Sequence, residues 1–394
     1  MKFTDFNFHE SLLEGIAASN YEEATPVQEQ VIPLILRGKD IIASAQTGTG
    51  KTAAFLLPLI NKLLTSDNRN DHHINAMIIV PTRELAVQIG DHLAGLSYFT
   101  SISSIAVYGG GDGSSFVQEK QALSTGVDIV VCTPGKMIAH INMGYVKLKE
   151  LQYLILDEAD RMLDMGFIDD IVRIINALPA KRQTLLFSAT MPSKIRALAK
   201  KILHEPVEVN IALSKPPEKI IQLAFVIYDE QKIPLTKMLL KESKFKSVLI
   251  FCSKKQQVKL LTRELKNSGI DIAEIHSDLE QSEREEVLRR FTSKRLPVLV
   301  ATDILSRGID IDHIDLVLNF DTPHDGEDYI HRIGRTARAE TDGTAYTFVN
   351  PKEQNKFASI ESLLGHHIQK GKVPGHLGPV PSYHPRQQRP VKKR

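Results

Sequence analysis

Short, mainly apolar runs recur along the first half of the chain, each followed by a polar turn and a longer helical stretch. The runs lie at 40–44, 76–80, 128–132, 153–156 and 184–187. Apolar runs of this length without strict alternation are typical of strands that are buried on both faces. Strands of this kind that are separated by helices form parallel sheets. We therefore predict an α/β domain with a parallel sheet covered by helices on both faces.

The same pattern restarts in the second half of the chain. Runs at 247–251, 297–300 and 316–320 again end in polar turns. The repetition predicts a second α/β domain at 219–364, related to the first. The fold class is therefore α/β, with two tandem domains that each contain a parallel sheet.

The composition of the chain changes at two places. Residues 204–219 form a mixed polar run with three prolines, a composition that favours a linker. We place the first domain at 1–208 and the linker at 209–218. From 365 to 394 the chain is rich in glycine, proline and basic residues. We expect this last segment to be a disordered basic tail.

Net charge and hydropathy limit the classes of protein. The 394 residues carry a formal net charge of +2, so nucleic-acid affinity requires a local arrangement of charge. No apolar run approaches the length that crosses a membrane, and the first residues lack the apolar core of a signal peptide. We expect a cytoplasmic protein that acts as a monomer away from membranes.

A glycine-rich segment follows the first apolar run and precedes an apolar helix. It reads Ala45-Gln46-Thr47-Gly48-Thr49-Gly50-Lys51-Thr52. Glycines let backbone N–H groups surround a phosphate, and the helix N-terminus adds its positive dipole end. Lys51 is expected to reach the β- and γ-phosphates, and the Thr52 hydroxyl to bind Mg²⁺. The full spacing in this context predicts a nucleoside triphosphate site rather than an ordinary glycine turn.

An acidic pair follows the apolar run at 153–156. Asp157 is expected to hold Mg²⁺, and Glu158 to orient or deprotonate the attacking water. Most Asp-Glu pairs are solvated helix starts. The position after a buried strand, downstream of a phosphate loop, favours the catalytic role here.

Gln28 is a weaker signal for the same nucleotide. Thr25 and Pro26 are typical of a helix N-cap and first helical position, so Gln28 falls in the first turn. Its amide presents a donor and an acceptor, as recognition of an adenine edge requires.

The segment 331–338 reads His-Arg-Ile-Gly-Arg-Thr-Ala-Arg. On a helix, Arg335 and Arg338 would share a face. An arginine can stabilise the charge on a transferring phosphoryl group and accelerate transfer by roughly 10³–10⁵. If these arginines arrive only when the domains close, hydrolysis depends on closure; a solvated basic face is the alternative.

These motifs, occurring together and in order, resemble those of the DEAD-box RNA helicases. The short basic tail and the overall organisation of the chain are similar to those of the bacterial RhlE-type group. The resemblance extends from Phe3 to about Val349. Its elements are the Q motif with Tyr21 and Gln28, motif I at 45–52, motif Ia at 81–86, motif Ib at 133–136, Asp-Glu-Ala-Asp at 157–160, motif III at 188–190, motif IV at 249–253, motif V at 301–310 and motif VI at 331–338.

The resemblance implies two RecA-like domains with ATP and Mg²⁺ in the cleft between them and RNA across both. It implies an ATP-dependent RNA helicase that unwinds short duplexes locally or remodels RNA–protein complexes. It assigns Asp310 to the ribose, and Ser188, Thr190 and His331 to coupling between ATP and RNA. The implied RNA contacts, mostly to sugar and phosphate, are Arg83, Gly110, Thr133, Ser253 and Thr302.

Departures from the family pattern are small. Tyr21 follows Asn20 where Gly-Phe is usual, Ala337 replaces a common glycine, and Lys136 replaces an arginine. The last change exchanges a bidentate fork for a point charge and weakens that one contact.

Three alternative functions compete with that of an RNA helicase. Intact Lys51, Glu158 and Arg335 argue against a protein with a dead nucleotide site. The Asp-Glu-Ala-Asp motif and Gln28 argue against a DNA helicase of the wider superfamily. An ATP-gated RNA clamp that uses hydrolysis for release stays open, because it would use every motif above.

Overall fold

The chain folds into two compact units. The computed structural model describes residues 1–44, 49–110, 113–210, 220–242, 245–302, 314–336 and 343–385. The first unit is Met1–Ser214 and the second is Lys215–Arg394. Most of the predicted linker lies outside the described residues.

The first unit is built around a sheet whose strands alternate with helices. Its strands are β1 Ile41–Ser44, β2 Ile74–Ile79, β3 Ser104–Val107, β4 Val127–Cys132, β5 Tyr153–Leu156, β6 Gln183–Ser188 and β7 Val207–Asn210. Its helices are α1 Glu10–Ala18, α2 Pro26–Leu36, α3 Lys51–Leu64, α4 Arg83–Leu96, α5 Gly113–Thr125, α6 Pro134–Asn142, α7 Ala159–Asp164, α8 Ile168–Asn176 and α9 Ser193–Ile202. A 3-10 helix, Phe3–Phe6, precedes them.

The strands of the first sheet lie in the order β3-β4-β2-β5-β6-β1-β7 and pair in parallel. Successive side chains of a strand point to opposite faces. On β4, Ile129 and Val131 belong to one hydrophobic cluster, whereas Val130 and Cys132 belong to the other. Both faces are therefore buried, which explains why the strands are continuous apolar runs.

The second unit repeats this architecture. Its strands are β8 Ile220–Val226, β9 Val248–Cys252, β10 Ile272–Ile275, β11 Val298–Thr302, β12 Leu316–Asn319, β13 Gly343–Val349 and β14 Gln369–Lys370. Its helices are α10 Asp229–Glu242, α11 Lys255–Lys266, α12 Gln281–Thr292, α13 Gly326–Ile333 and α14 Gln354–Leu364, with a 3-10 helix at Gly375–Leu377. The strand order is β10-β11-β9-β12-β13-β8-β14, again with parallel pairs. The prediction of a parallel sheet in each half is confirmed.

The segment after α14 is folded as far as it is described, so the prediction of disorder from 365 onward is wrong for 365–385. β14 pairs with β8, and Ile368 is buried in the core. The Lys370 ammonium donates to Glu361 at 2.6 Å and lies 4.3 Å from the ring centre of Tyr383. The Tyr383 hydroxyl also donates to Glu361, at 2.7 Å. A few anchoring side chains on an existing sheet edge outweigh a composition rich in glycine and proline. Residues 386–394 lie outside the description.

Within the described part of the chain, no helix is both long and apolar enough to cross a bilayer.

Candidate nucleotide and RNA sites

Three neighbouring strands of the first sheet lead into the predicted nucleotide-binding residues. β1 precedes the phosphate loop, β5 precedes Asp157 and Glu158, and β6 ends at Ser188. These strands are consecutive in the order β5-β6-β1. Because the carboxyl ends of parallel strands lie at one edge of the sheet, the three motifs converge there.

The end of the phosphate loop opens α3. Gly50 has φ +89°, a left-handed conformation that favours glycine. Lys51 is buried at the helix N-terminus, and Thr52 follows it, half-buried. The loop candidates outside the described residues are Ala45, Gln46, Thr47 and Gly48.

Gln28 links the start of α2 to the phosphate loop. Its Oε1 accepts from the backbone N–H of Thr25 at 2.9 Å, and its Nε2 donates to the carbonyl of Gly50 at 3.1 Å. The Thr25 hydroxyl adds a second link by donating to the carbonyl of Thr49 at 2.8 Å. A Cβ on Gly50 would lie 2.6 Å from Nε2 of Gln28, so the contact itself requires glycine. The sequence did not predict this link, although the N-cap pattern at Thr25 was visible.

The N-terminal residues pack beside this link. Phe3 is buried, and its ring centre lies 6.0 Å from that of Tyr21. The backbone N–H of Ala24 donates to the carbonyl of Met1 at 2.8 Å. Tyr21 is half-buried, and the N-terminal segment sets the position of its ring.

The acidic pair sits in a buried environment at the end of β5. Asp157 is 3% exposed, and burial raises the pKa of its carboxyl to about 6; the Lys51 ammonium opposes this rise, and Glu158 adds to it. Glu158 has φ +51°, which is uncommon for a residue other than glycine. Its Oε2 accepts from Nη1 of the buried Arg161 at 3.2 Å. The Glu158 carboxylate is therefore oriented by an arginine that the sequence analysis did not single out.

Asp160 connects the acidic motif to the segment after β6. Its backbone N–H donates to the Ser188 hydroxyl at 3.2 Å, and that hydroxyl donates to the carbonyl of Thr190 at 2.6 Å. The Thr190 N–H returns to Oδ2 of Asp160 at 2.9 Å. This closed ring gives the two predicted coupling residues a direct contact with the nucleotide motif. Asp160 was visible only as the last letter of that motif.

The RNA candidates of the first unit follow the other three neighbouring strands, β3-β4-β2. Arg83 begins α4 after β2, and its guanidinium packs so closely on Gly110 that a Cβ there would overlap it. Thr133 follows β4 as the N-cap of α6, and its N–H donates to the carbonyl of Val107 at 3.1 Å. The structure thus brings Arg83 and Gly110 into contact and ties Thr133 to the end of the neighbouring strand.

The RNA candidates of the second unit also lie on neighbouring strands. Thr302 ends β11 and is in register with Cys252, the residue before Ser253. The Ser253 N–H donates to Oδ2 of Asp321 at 2.8 Å, and Oδ1 of Asp321 accepts from the buried Lys232 at 2.9 Å. Asp321 and Lys232 therefore position Ser253, and neither was predicted. The available signal was an Asp-Thr-Pro turn at the end of β12.

The last motif belongs to α13, which ends at Ile333. Arg332 is buried there; it donates to Asp328 at 3.1 Å and to the Asn319 side chain at 3.2 Å. Arg335 follows the C-cap Gly334 and is half-buried. The shared helix face considered for Arg335 and Arg338 does not apply to Arg335, because the helix ends two residues before it.

His331 is half-buried on α13. The two second-unit candidates outside the described residues are Asp310 and Arg338.

Comparison with protein families assigns both units. Residues 25–198 match the family model "DEAD/DEAH box helicase", and residues 231–340 match "Helicase conserved C-terminal domain". The ATP-dependent RNA helicase CshA of Listeria monocytogenes is 42% identical over 374 residues, covering 95% of this chain and 71% of the relative. The chain belongs to the DEAD/DEAH box helicase family. The DEAD-box ATP-dependent RNA helicase CshA of Bacillus subtilis is 40% identical to this helicase. The match covers 94% of this chain and 74% of the relative.

Solved structures agree with the fold. S. cerevisiae Dbp5 bound to RNA and ADP BeF3 is 30% identical to the helicase, with a TM-score of 0.83 and coverage of 94% and 95% of the two chains. Mss116p bound to ssRNA and AMP-PNP is 27% identical, with a TM-score of 0.83 and coverage of 95% and 80%. The helicase consists of two tandem RecA-like domains, as predicted.

Proposed function

We propose that this DEAD-box helicase couples ATP binding and hydrolysis to the local unwinding of short RNA duplexes or the remodelling of RNA–protein complexes. The observation that carries the proposal is the strand order of the first unit. Nucleotide motifs follow β5-β6-β1 and RNA candidates follow β3-β4-β2, so both sets lie along one edge of one sheet. Two ligands that share an edge can affect each other through the elements between them.

The chain is an ATP-dependent RNA helicase, and we assign its hydrolytic roles as follows. Lys51 balances phosphate charge, Glu158 accepts the proton of the attacking water, and Arg335 stabilises charge on the transferring phosphoryl group. Asp310 and Arg338 keep the roles that the family implies, for the ribose and for the phosphate. The ring of Asp160, Ser188 and Thr190 passes changes at the nucleotide to the segment after β6.

Thr52 and Asp157 would hold the Mg²⁺ that accompanies ATP. Both offer the oxygen donors that Mg²⁺ prefers, and such sites use one or two protein groups together with substrate phosphates. The buried Asp157 carboxyl, whose pKa burial raises to about 6, fits a cation in particular. A positive ion favours the ionised form that burial disfavours, and it would neutralise charge on the phosphates.

The proposed RNA contacts are sugar–phosphate contacts without base readout. Arg83, Gly110 and Thr133 serve in the first domain, and Ser253 and Thr302 in the second. Backbone contacts of this kind position a strand but do not read its sequence. The helicase is therefore proposed to act on RNA of any sequence. We also propose that it acts as a monomer. The two relatives compared above carry the name CshA, so we propose a CshA-type rather than an RhlE-type helicase.

A strand-displacement assay on short RNA duplexes, run beside an ATPase assay, tests this function. We expect ATP-dependent displacement of the short duplex, and hydrolysis that rises with added RNA because Arg335 and the phosphate loop belong to different units. Full turnover without RNA would contradict the proposal. RNA-stimulated hydrolysis without displacement would favour the ATP-gated clamp. Equal stimulation by matched single-stranded DNA would favour a DNA helicase.

Replacing Gln28 by alanine should weaken ATP binding and reduce its preference over GTP. The variant loses an adenine-edge partner and the hydrogen bond to Gly50. Loss of a buried hydrogen-bond partner costs about 1–3 kcal/mol, so we expect the KM for ATP to rise roughly 5- to 150-fold. The measurement is the ratio of kcat/KM for ATP and GTP at saturating RNA.

Gln30 provides the matched control, because it lies exposed on the same helix. Gln30→Ala should leave kcat/KM for ATP and kcat/KM for GTP at their wild-type values. If the wild type already hydrolyses GTP as well as ATP, adenine recognition by Gln28 is wrong.

A further inference from the structure

A buried polar cluster lies beneath the first turn of α6. We call it the Glu119 cluster: Glu119 on α5, Lys136 and His140 on α6, and Tyr145 in the following loop. Oε2 of Glu119 lies 2.8 Å from Nζ of Lys136 and 3.1 Å from Nε2 of His140. Nδ1 of His140 is hydrogen-bonded to the Tyr145 hydroxyl. The ring of Phe116 stacks on His140, with ring centres 5.2 Å apart.

When His140 is neutral, only one assignment of hydrogen-bond donors and acceptors fits this cluster. Burial lowers the pKa of the His140 imidazole, although the hydrogen bond to Glu119 opposes the shift. Nε2–H then donates to Glu119, and the Tyr145 hydroxyl donates to Nδ1. The charge that balances Glu119 is therefore that of Lys136.

Lys136 is the member of the cluster that stands next to the RNA candidates. It lies in the first turn of α6, three residues after the proposed RNA contact Thr133. Its side chain is nevertheless only 18% exposed. Its ammonium points inward, to the Glu119 carboxylate, and lies 5.4 Å from the ring centre of Phe116. A cation at the proposed RNA surface is thus neutralised by a buried acid.

We propose that Glu119 withholds Lys136 from RNA and so lowers the affinity of the first domain for the phosphate backbone. The inference rests on the proposed RNA-binding function and deepens it. Each cation that engages a phosphate of a single strand adds roughly 0.7 to the slope of log affinity against log salt. A lysine held by a carboxylate releases no counterion when RNA binds, so it adds nothing to that slope.

Glu119→Gln tests the inference with a gain of binding. Glutamine keeps the shape of the side chain and an oxygen that accepts from His140, but it no longer neutralises Lys136. We expect single-stranded RNA to bind several-fold more tightly at low salt, with a salt slope steeper by roughly 0.7. The measurement is fluorescence anisotropy with a labelled oligonucleotide across a salt series, in the presence of a non-hydrolysable ATP analogue.

Three further variants isolate Lys136. Lys136→Gln should keep the wild-type salt slope, because the withheld charge does not reach RNA; its affinity should fall, because Glu119 is then an unbalanced buried charge. The double variant should match the wild type in affinity and slope, because it restores neutrality and the gain in Glu119→Gln requires Lys136. Glu14→Gln makes the same change in net charge at an exposed position on α1 and should change neither quantity.

The outcomes separate the two levels of the proposal. Wild-type affinity and slope in Glu119→Gln, or a gain that persists in the double variant, would overturn the role of Glu119. A salt slope shallower by roughly 0.7 in Lys136→Gln would do the same, because it would show that Lys136 engages a phosphate in the wild type; this slope decides the matter alone if Glu119→Gln does not fold. Absence of RNA binding by the wild type would instead refute the proposed function.

Discussion

Glu158→Gln is expected to leave ATP binding intact and to lower the RNA-stimulated hydrolysis rate by roughly 10²–10⁴, the usual contribution of a general base. The variant removes the carboxylate that we propose accepts a proton from water, but it keeps the size of the side chain. It also keeps an oxygen that accepts from Arg161, which lies 3.2 Å from Glu158 in the native chain. The surroundings of Asp157 and Glu158 should therefore keep their shape, while the site loses its proposed general base.

The same variant should hold RNA for much longer in the presence of ATP. If hydrolysis times RNA release, a helicase that binds ATP without hydrolysing it stays in the closed, RNA-bound state. The measurement is the dissociation rate of labelled RNA after addition of excess competitor, compared with single-turnover hydrolysis. Glu230→Gln, at an exposed position on α10, is the matched control. Fast RNA release by Glu158→Gln in the presence of ATP would contradict the role that we propose for Glu158.

Arg335→Ala should lower the hydrolysis rate at saturating RNA by roughly 10³–10⁵, the range for an arginine that stabilises a transferring phosphoryl group. The loss should fall on kcat rather than on nucleotide binding, because the charge that Arg335 is proposed to stabilise develops in the transition state. Single-turnover hydrolysis and a separate measurement of ATP affinity distinguish the two effects. Arg335→Lys should recover part of the rate, since a point charge replaces the planar fork.

The neighbouring Arg332 is not a suitable position for this test. It is buried and donates to Asp328 and Asn319, so its removal would damage the second domain itself. Arg335 lies beyond the end of α13 and is half-buried. The exposed Arg295 is the matched control, and Arg295→Ala should leave the rate unchanged. A normal kcat in Arg335→Ala would remove this residue from the proposed mechanism.

Much of the candidate site was visible in the sequence because its parts are local. The phosphate loop, the acidic pair and the turn at Ser188 each follow an apolar strand directly. Burial of both faces makes those strands continuous apolar runs, and the motif residues stand where the runs end. Local pattern also predicted the parallel sheet in each half.

The tail shows where composition misleads. Glycine, proline and basic residues predicted disorder from 365, yet 365–385 packs against the second unit. The anchors are few: Ile368 in the core, and Lys370 and Tyr383 on Glu361. Their effect depends on a sheet edge and a buried acid that are already in place, which no count of residue types reveals.

The sequence by itself determined the α/β class, the two tandem domains, and the positions of the nucleotide and RNA motifs along the chain. Only the tertiary structure decided the strand order, and with it which motifs stand side by side. It also decided that Gln28 binds the carbonyl of Gly50, that Asp160 closes a ring with Thr190, and that Glu119 neutralises Lys136. The physical reason is that periodicity records which face of an element is buried, whereas these contacts join elements that are distant in sequence.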